Sequence, residues 1–380
     1  MNRLINFRDI LNHKSPENLI LDLGGCPLSS MEGDTQNRVL DLLGYKKPEP
    51  QRLTFGKVQR LEESLLKYLD IDTRSVGEIL HPKNSQFEIL STDVYIDEWG
   101  ITRKYDGQYW SIIKSPLKDA ECKDLDNFLF PDPNSVDILQ IEAIAAAAKH
   151  LYEEGKYVIC AEHPVYGVFE LGCWLCGFED FLIKVMIDPD FVLKLFEKIL
   201  DYQKKIIKIY YGAIGPYAHY TSSGDDFATQ ESMFMSLDCF GKLIKPFLKE
   251  RIGYTKKFTD AKYLHHSCGN VFKLIPDLID CGVEIINPIQ PATFEMNPNN
   301  LKQKYGEKIV FHGGCDTQKL LPFGGEESIK EGVKDLISQM NINGGYVFAA
   351  AHNLQNDVPP ENIIYMFQAA RKYGGNNGLR

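Results

Sequence analysis

The sequence predicts an α/β fold, a (β/α)8 barrel carrying N-terminal helical and β-hairpin insertions, and three observations lead there. Short apolar runs alternate with helical periodicity along most of the chain, as βαβ units do. Eight candidate strands can be counted, near residues 19, 90, 157, 217, 262, 283, 308 and 346. Neither a Gly-x-Gly-x-x-Gly fingerprint nor a Walker-type loop follows any of them, which leaves an open nucleotide-binding sheet without support. At 380 residues, 44% hydrophobic and 25% charged, the chain suits one barrel domain spanning 1–380, with no linker or low-complexity stretch to divide it.

The elements follow in order. Asn18 to Pro27 reads as a buried strand ending in a tight turn, and Thr35 to about Leu69 as mostly helical, broken by Lys46-Lys47-Pro48-Glu49-Pro50. Phe87 to Ile96 is expected to be the second barrel strand. Asp97-Glu98-Trp99-Gly100 then leads into an antiparallel excursion over Thr102 to Ile113. Val136 to Glu154 is a helix stopped by Gly155, and Tyr157 to Ala161 the next strand. Asp188-Pro189 opens a long amphipathic helix to about Tyr211, with proline at its favoured first-turn position. Tyr217 to Thr221 is a strand, and Ser236 caps a helix ending near Ile252. Strands at Ala261 to Leu264, Val283 to Asn287, Lys308 to His312 and Tyr346 to Ala350 follow. Helices are expected from Val271 to Cys281, from Glu326 to Met340 and from Pro360 onward.

A net charge of −10 argues against nucleic acid or an anionic membrane as the main partner. Apolar runs such as Ile144 to Ala148 are far short of a membrane span, and the first residues carry no apolar leader region. Nine cysteines without a framework spacing fit free thiols in a cytoplasmic protein.

In a barrel, the residues just past each strand converge on one rim. Here they include Gly24-Gly25-Cys26, Asp97-Glu98-Trp99, Glu162-His163, Asp225-Asp226, His266-Ser267-Cys268, Asn287 to Gln290, Gly314-Cys315-Asp316 and His352-Asn353. His266 and Cys268, two apart at a strand end, point the same way, and imidazole with thiolate suits zinc. On the pair alone, a buried cysteine beside a structural histidine is an equal reading. His352 on the same rim is favoured as third ligand, with Cys315 a competitor and Cys26 able to approach. Of the two adjacent acids, either of which could orient a ligand or bind substrate, Asp225 is expected to face the site and Asp226 to cap the loop or contact a neighbour. Gly25, Cys26, Trp99, Gln290 and Asn353 are expected to contact substrate. Cys173-x-x-Cys176 reads as packed helix.

These motifs, in order, resemble the uroporphyrinogen decarboxylase superfamily, and more closely its cobalamin-dependent methyltransferase and O-demethylase branch. The resemblance rests on Asp22-Leu23-Gly24-Gly25, Asp97-Glu98-Trp99-Gly100, Gly224-Asp225-Asp226-Phe227-Ala228-Thr229-Gln230, His266-Ser267-Cys268-Gly269, Gly313-Gly314-Cys315-Asp316-Thr317-Gln318 and His352-Asn353-Leu354-Gln355. It covers most of the chain. Decarboxylases of the family carry arginines after the first strand; Gly24-Gly25-Cys26-Pro27 stands there in this chain. The resemblance therefore implies zinc-dependent methyl transfer between a corrinoid and a small-molecule thiol, or another donor or acceptor. Zinc would sit on His266, Cys268 and a later residue, a cysteine in the thiol methyltransferases and His352 in this sequence. The corrinoid is expected on a separate partner protein, since no Asp-x-His-x-x-Gly motif occurs in the chain. A porphyrinogen decarboxylase is the alternative, and a homodimer stays open.

Overall fold

A computed structural model describes residues 2–32, 34–48, 60–107, 110–162 and 164–375. Its centre is a parallel sheet of eight strands surrounded by helices. In chain order the strands are Ile20–Leu21, Thr73–Val76, Val158–Ala161, Tyr220–Thr221, Lys262–His266, Ile285–Ile289, Val310–Cys315 and Tyr346–Ala350. The first pairs with the eighth, and the rest follow sequentially to the second, so the sheet curls almost shut. Every one of these strands is buried on nearly all positions, as parallel strands covered by helices must be.

The seam between the first and second strands is closed by one side chain. Asp72, just before the second strand, donates its backbone N–H to Leu21 O at 3.0 Å. Its Oδ2 accepts the Leu21 N–H at 2.8 Å. One residue thus supplies both halves of a missing ladder rung. Its carboxylate is fully buried and held by Arg3 at 2.6 Å and Arg371 at 3.0 Å, from the first and last helices of the chain. The two chain ends are therefore pinned to the seam.

One expected strand is corrected. Phe87 to Ile96 does not enter the barrel. Glu88–Ile89 and Val94–Ile96 join Thr102–Tyr105 and Trp110–Lys114 in a separate four-stranded antiparallel sheet. The second barrel strand is Thr73–Val76, whose polar sequence hides its burial. Arg74 is 6% exposed because its guanidinium lies over the Tyr157 ring and pairs with Glu63. The helix expected up to Ile252 is split at Ile244 into Leu237–Leu243 and Lys245–Thr255, because Pro246 has no N–H to continue the first helix's hydrogen bonding and suits the first turn of a new one. The region up to Leu69 forms helices at Thr35–Leu42 and Glu63–Tyr68, with 49–59 outside the described residues.

The long helix Pro189–Ile214 turns an apolar stripe, including Phe191, Leu195, Phe196, Ile199 and Ile206, into the core. Asp188 caps it by accepting the Phe191 N–H at 3.2 Å. No helix among the described residues is long and apolar enough to cross a membrane.

The seam predicts a large effect from one change. Asp72→Ala takes a buried partner from two arginines that keep Asp70 and leaves the Leu21 N–H unpaired, so urea unfolding should show a loss of about 1–3 kcal/mol. A loss in the range of an exposed pair, about 0–1 kcal/mol, would mean that packing alone closes the barrel.

Candidate metal centre

His266 is the last residue of the fifth strand, and Cys268 lies two further on. His352 lies two past the eighth strand. The donor atoms of these three residues lie within 4.8 Å of one another. Cys268 Sγ is 3.3 Å from His266 Nε2, and the two imidazoles meet edge to face with centroids 5.6 Å apart. Donors around a tetrahedral zinc-sized ion stand about 3.5 Å apart, given bonds of about 2.0–2.3 Å. The cluster is near that spacing.

The two imidazoles are in the neutral form that ligation needs, and Cys268 must give up its thiol proton to a bound metal. His266 Nδ1 donates to Asn287 Oδ1 at 2.5 Å, which leaves the Nε2 lone pair facing Cys268. Burial pushes the Cys268 thiol well up, with the charges of Asp226 and Glu170 adding to it, so the thiol donates to that lone pair. Burial, reinforced by His266, pulls His352 down to about 4, so its ring is neutral at pH 7.

The loop behind the cluster is fixed by close contacts. Gly269 has φ +86, and a Cβ there would lie 2.4 Å from both Ala228 O and Thr229 O, so only glycine fits. Its N–H donates to Gln290 Oε1 at 2.6 Å. The Cys268 N–H donates to Asp226 Oδ1 at 2.8 Å, and the same oxygen is 3.7 Å from His266 Nε2.

Of the two adjacent aspartates, it is Asp226 and not the expected Asp225 that faces the cluster. Asp225 turns away, 1% exposed, and accepts the Glu170 N–H at 2.7 Å and the Phe169 N–H at 3.2 Å. These are in the first turn of the helix Val168–Cys176, whose N-cap, Gly167, offers no side chain. A carboxylate from a neighbouring loop satisfies those orphan amides instead. Burial raises Asp225 to about 7, against the opposing pull of Arg251 and the two amides.

Beside His352 opens a cavity of about 480 Å³. Gln290 and Asn353 line it, together with Asp316, Gln318 and Asp357, and no lysine or arginine is among its described lining residues. The other expected substrate contacts lie elsewhere. Cys26 is fully buried, its thiol pushed up to about 12 by burial and by Asp22. Gly25 donates its N–H to Asp22 Oδ1 at 2.9 Å, and a Cβ there would lie 2.2 Å from the same oxygen. Trp99 is 3% exposed and packs edge-on against Tyr202 at 4.8 Å. Cys315 is buried within the seventh strand, outside the donor cluster, and Cys173 and Cys176 are packed inside their helix. His163 lies outside the described residues. Asn287 was legible only as a strand-end amide; the parallel pairing Asn287 to His266 is the signal that gives it a partner.

Three comparisons place the chain among known proteins. The sequence model of a family described as uroporphyrinogen decarboxylase (URO-D) matches residues 99–373. Uroporphyrinogen decarboxylases from Pseudoalteromonas atlantica and Wigglesworthia glossinidia brevipalpis are 31% identical over 75 residues and 28% identical over 83 residues. Those stretches are 20% and 21% of this chain, and span only 21% and 22% of the relatives' own lengths. Among solved structures, a methyltransferase from Methanosarcina mazei superposes with a TM-score of 0.67 and 16% identity, covering 97% of this chain and 98% of that one. At that identity the likeness establishes the fold: a (β/α)8 barrel.

The raised Asp225 yields a pH-dependent prediction. In the unfolded chain this carboxyl ionises near 3.9, whereas in the fold it holds its proton to about 7. Its stabilising contribution is complete below the lower value and is lost as pH rises through the higher one. Asp225→Asn keeps an acceptor for the helix cap and removes the buried charge. Its stability relative to wild type should therefore increase between pH 5 and pH 8, read from paired urea titrations. A pH-independent difference would mean that Asp225 is ionised throughout.

Proposed function

The chain belongs to the uroporphyrinogen decarboxylase family, and from that premise we propose that it is a zinc-dependent methyltransferase. It moves a methyl group between a corrinoid, carried on a separate protein, and a small-molecule thiol or another methyl donor or acceptor. The observation that carries this reading is the convergence of His266 Nε2, Cys268 Sγ and a donor nitrogen of His352 within 4.8 Å. Two nitrogens and one sulfur form a donor set that zinc favours, and three protein ligands are the number that leaves a coordination position for substrate.

Zinc bound there would supply Lewis acidity, lowering the pKa of an incoming thiol from about 8.5 or polarising the oxygen of a methyl ether. The chain's own residues do the rest. Asn287 orients His266 by accepting from Nδ1. Asp226 holds the Cys268 backbone and adds negative charge beside the donors, which favours a cation between them. Gln290 braces Gly269 from the cavity side. The cavity beside His352 gives substrate a route of approach, with amide donors and acceptors at Gln290, Gln318 and Asn353.

The runner-up, decarboxylation of a porphyrinogen, draws on the names of the partial relatives. Against it stands the charge of the site. A polycarboxylate needs bidentate cations. The turn after the first strand reads Gly24-Gly25-Cys26-Pro27, and the cavity's described lining holds two acids and neither lysine nor arginine.

Two measurements decide. Purified protein should contain near-stoichiometric zinc by elemental analysis, and Cys268→Ser should lose most of it while keeping a wild-type circular dichroism spectrum, since a loop ligand contributes little to the core. Full zinc in that variant would remove Cys268 from the site. Pure protein given uroporphyrinogen should form no coproporphyrinogen with or without zinc, and robust formation would replace this reading with the decarboxylase.

A further inference from the structure

The hydrogen bond from His266 to Asn287 is the last link of a longer chain that runs across the barrel interior. Asn287 Nδ2 is 2.7 Å from His312 Nδ1, and His312 Nε2 is 2.8 Å from Asp22 Oδ2. All four residues are buried, none more than 4% exposed. They come from four different strands or strand ends: the first, the seventh, the sixth and the fifth.

With a neutral imidazole at His312, the chemistry of these groups leaves one arrangement of their protons. Asp22 is surrounded by donors. Oδ1 accepts from the Gly25 N–H at 2.9 Å and from the Thr73 hydroxyl. Oδ2 accepts from the Ser29 hydroxyl at 2.5 Å and from His312. Burial works against its ionisation, but these hydrogen bonds, His312 first among them, outweigh it and hold the carboxyl below its ordinary range. An acceptor-only carboxylate requires the His312 proton on Nε2. His312 Nδ1 then accepts, so Asn287 must present its NH2 to it. That fixes the amide orientation, and Asn287 Oδ1 faces His266. His266 must in turn carry its proton on Nδ1, which leaves Nε2 as a bare lone pair beside Cys268.

We infer that Asp22, His312 and Asn287 form a positioning relay that locks the ligand tautomer of His266, with buried Asp22 as its anchor. The inference rests on the metal-centre reading above and extends it three residues beyond the donors. Neither Asp22 nor His312 belongs to the donor cluster or lines the cavity. Their effect reaches the site only through the direction of each hydrogen bond. Reversing any one link reverses those after it and turns a proton, instead of a lone pair, toward Cys268. The relay also accounts for the glycine after the first strand. A Cβ on Gly25 would stand 2.2 Å from Asp22 Oδ1 and 2.5 Å from the Tyr220 hydroxyl, displacing the anchor.

The test loads metal-free protein with zinc alone, in competition with a chromophoric chelator, and in parallel with cobalt(II) as a spectroscopic probe of the ligand set. His312→Gln should lower zinc affinity by about 10–100-fold, the range for groups that orient a metal-bound histidine. It should also change the cobalt ligand-field bands while the thiolate-to-cobalt band persists. Asn287→Asp keeps an acceptor facing His266 Nδ1 and should bind zinc near the wild-type level, whereas Asn287→Leu, of similar size, should lose affinity as His312→Gln does. Asp22→Asn, which exchanges one atom, is the second distal variant if His312→Gln does not fold, and the same loss is expected of it. A folded distal variant with wild-type zinc affinity and an unchanged cobalt spectrum overturns the relay. Wild-type protein that binds neither metal overturns the metal centre and the relay together, so the two failures are told apart.

Discussion

The register of the sixth strand against the fifth is the constraint on which the site depends. Asn287 pairs with His266, and Gly224 bridges to His266 from the other side. In a strand, successive side chains point to opposite faces, so a slip of one residue would send the histidine and its acceptor to opposite sides. Register is enforced here by burial on both faces. Leu264, Ile285, Ile286, Ile289 and Phe311 are all essentially inaccessible. A slip would move His266 and Asn287 out among apolar side chains with their polar atoms unpaired, at a cost of a few kcal/mol per group. The apolar barrel and the polar cluster are therefore one design: the core sets the register, and the register sets the donors.

Buried charge in this protein is handled in two ways. Asp22 and Asp72 each sit at zero exposure and are surrounded by donors; at Asp22 these outweigh burial, whereas at Asp72 burial still raises the carboxyl against the pull of Arg371 and Arg3. Asp72 serves architecture, closing the barrel where two strands fail to pair. Asp225 is compensated less completely by backbone amides and the field of Arg251, and burial wins, raising it to about 7. A carboxyl used as a helix cap does not need full ionisation, because a neutral acid still offers an oxygen to an N–H.

The helix cap also explains why adjacent acids diverge. Asp225 is drawn to the open amides of Phe169 and Glu170 because Gly167, at the N-cap, has no side chain to offer. Gly167 is in turn required: a Cβ there would lie 2.1 Å from Asp225 Cγ. With Asp225 committed, Asp226 is left to take the Cys268 N–H. Which of two identical side chains faces a cluster is decided by what a distant helix lacks.

Much of the architecture was legible in the linear chain. Alternation of short apolar strands with helices announced a (β/α)8 barrel, and seven of the eight strands fall where apolar runs place them, because burial on both faces forces an uninterrupted hydrophobic sequence. The remaining one, the second strand Thr73–Val76, escaped notice because its arginine is buried through a ring stack and an ion pair, neither of which leaves a local pattern. The spacing of His266 and Cys268 was likewise readable, since both belong to one strand end. His352 could be named as a rim residue, but its approach to within 4.8 Å of the other donors depends on the curl of the sheet. The displacement of Cys26 and Trp99 into the core, the choice of Asp226 over Asp225, and the relay from Asp22 through His312 and Asn287 were all beyond the sequence. A sequence fixes local conformation and the direction of each side chain along its own strand. Partners that lie 21, 25 and 290 residues apart meet only once register and barrel closure have chosen which strand ends are neighbours.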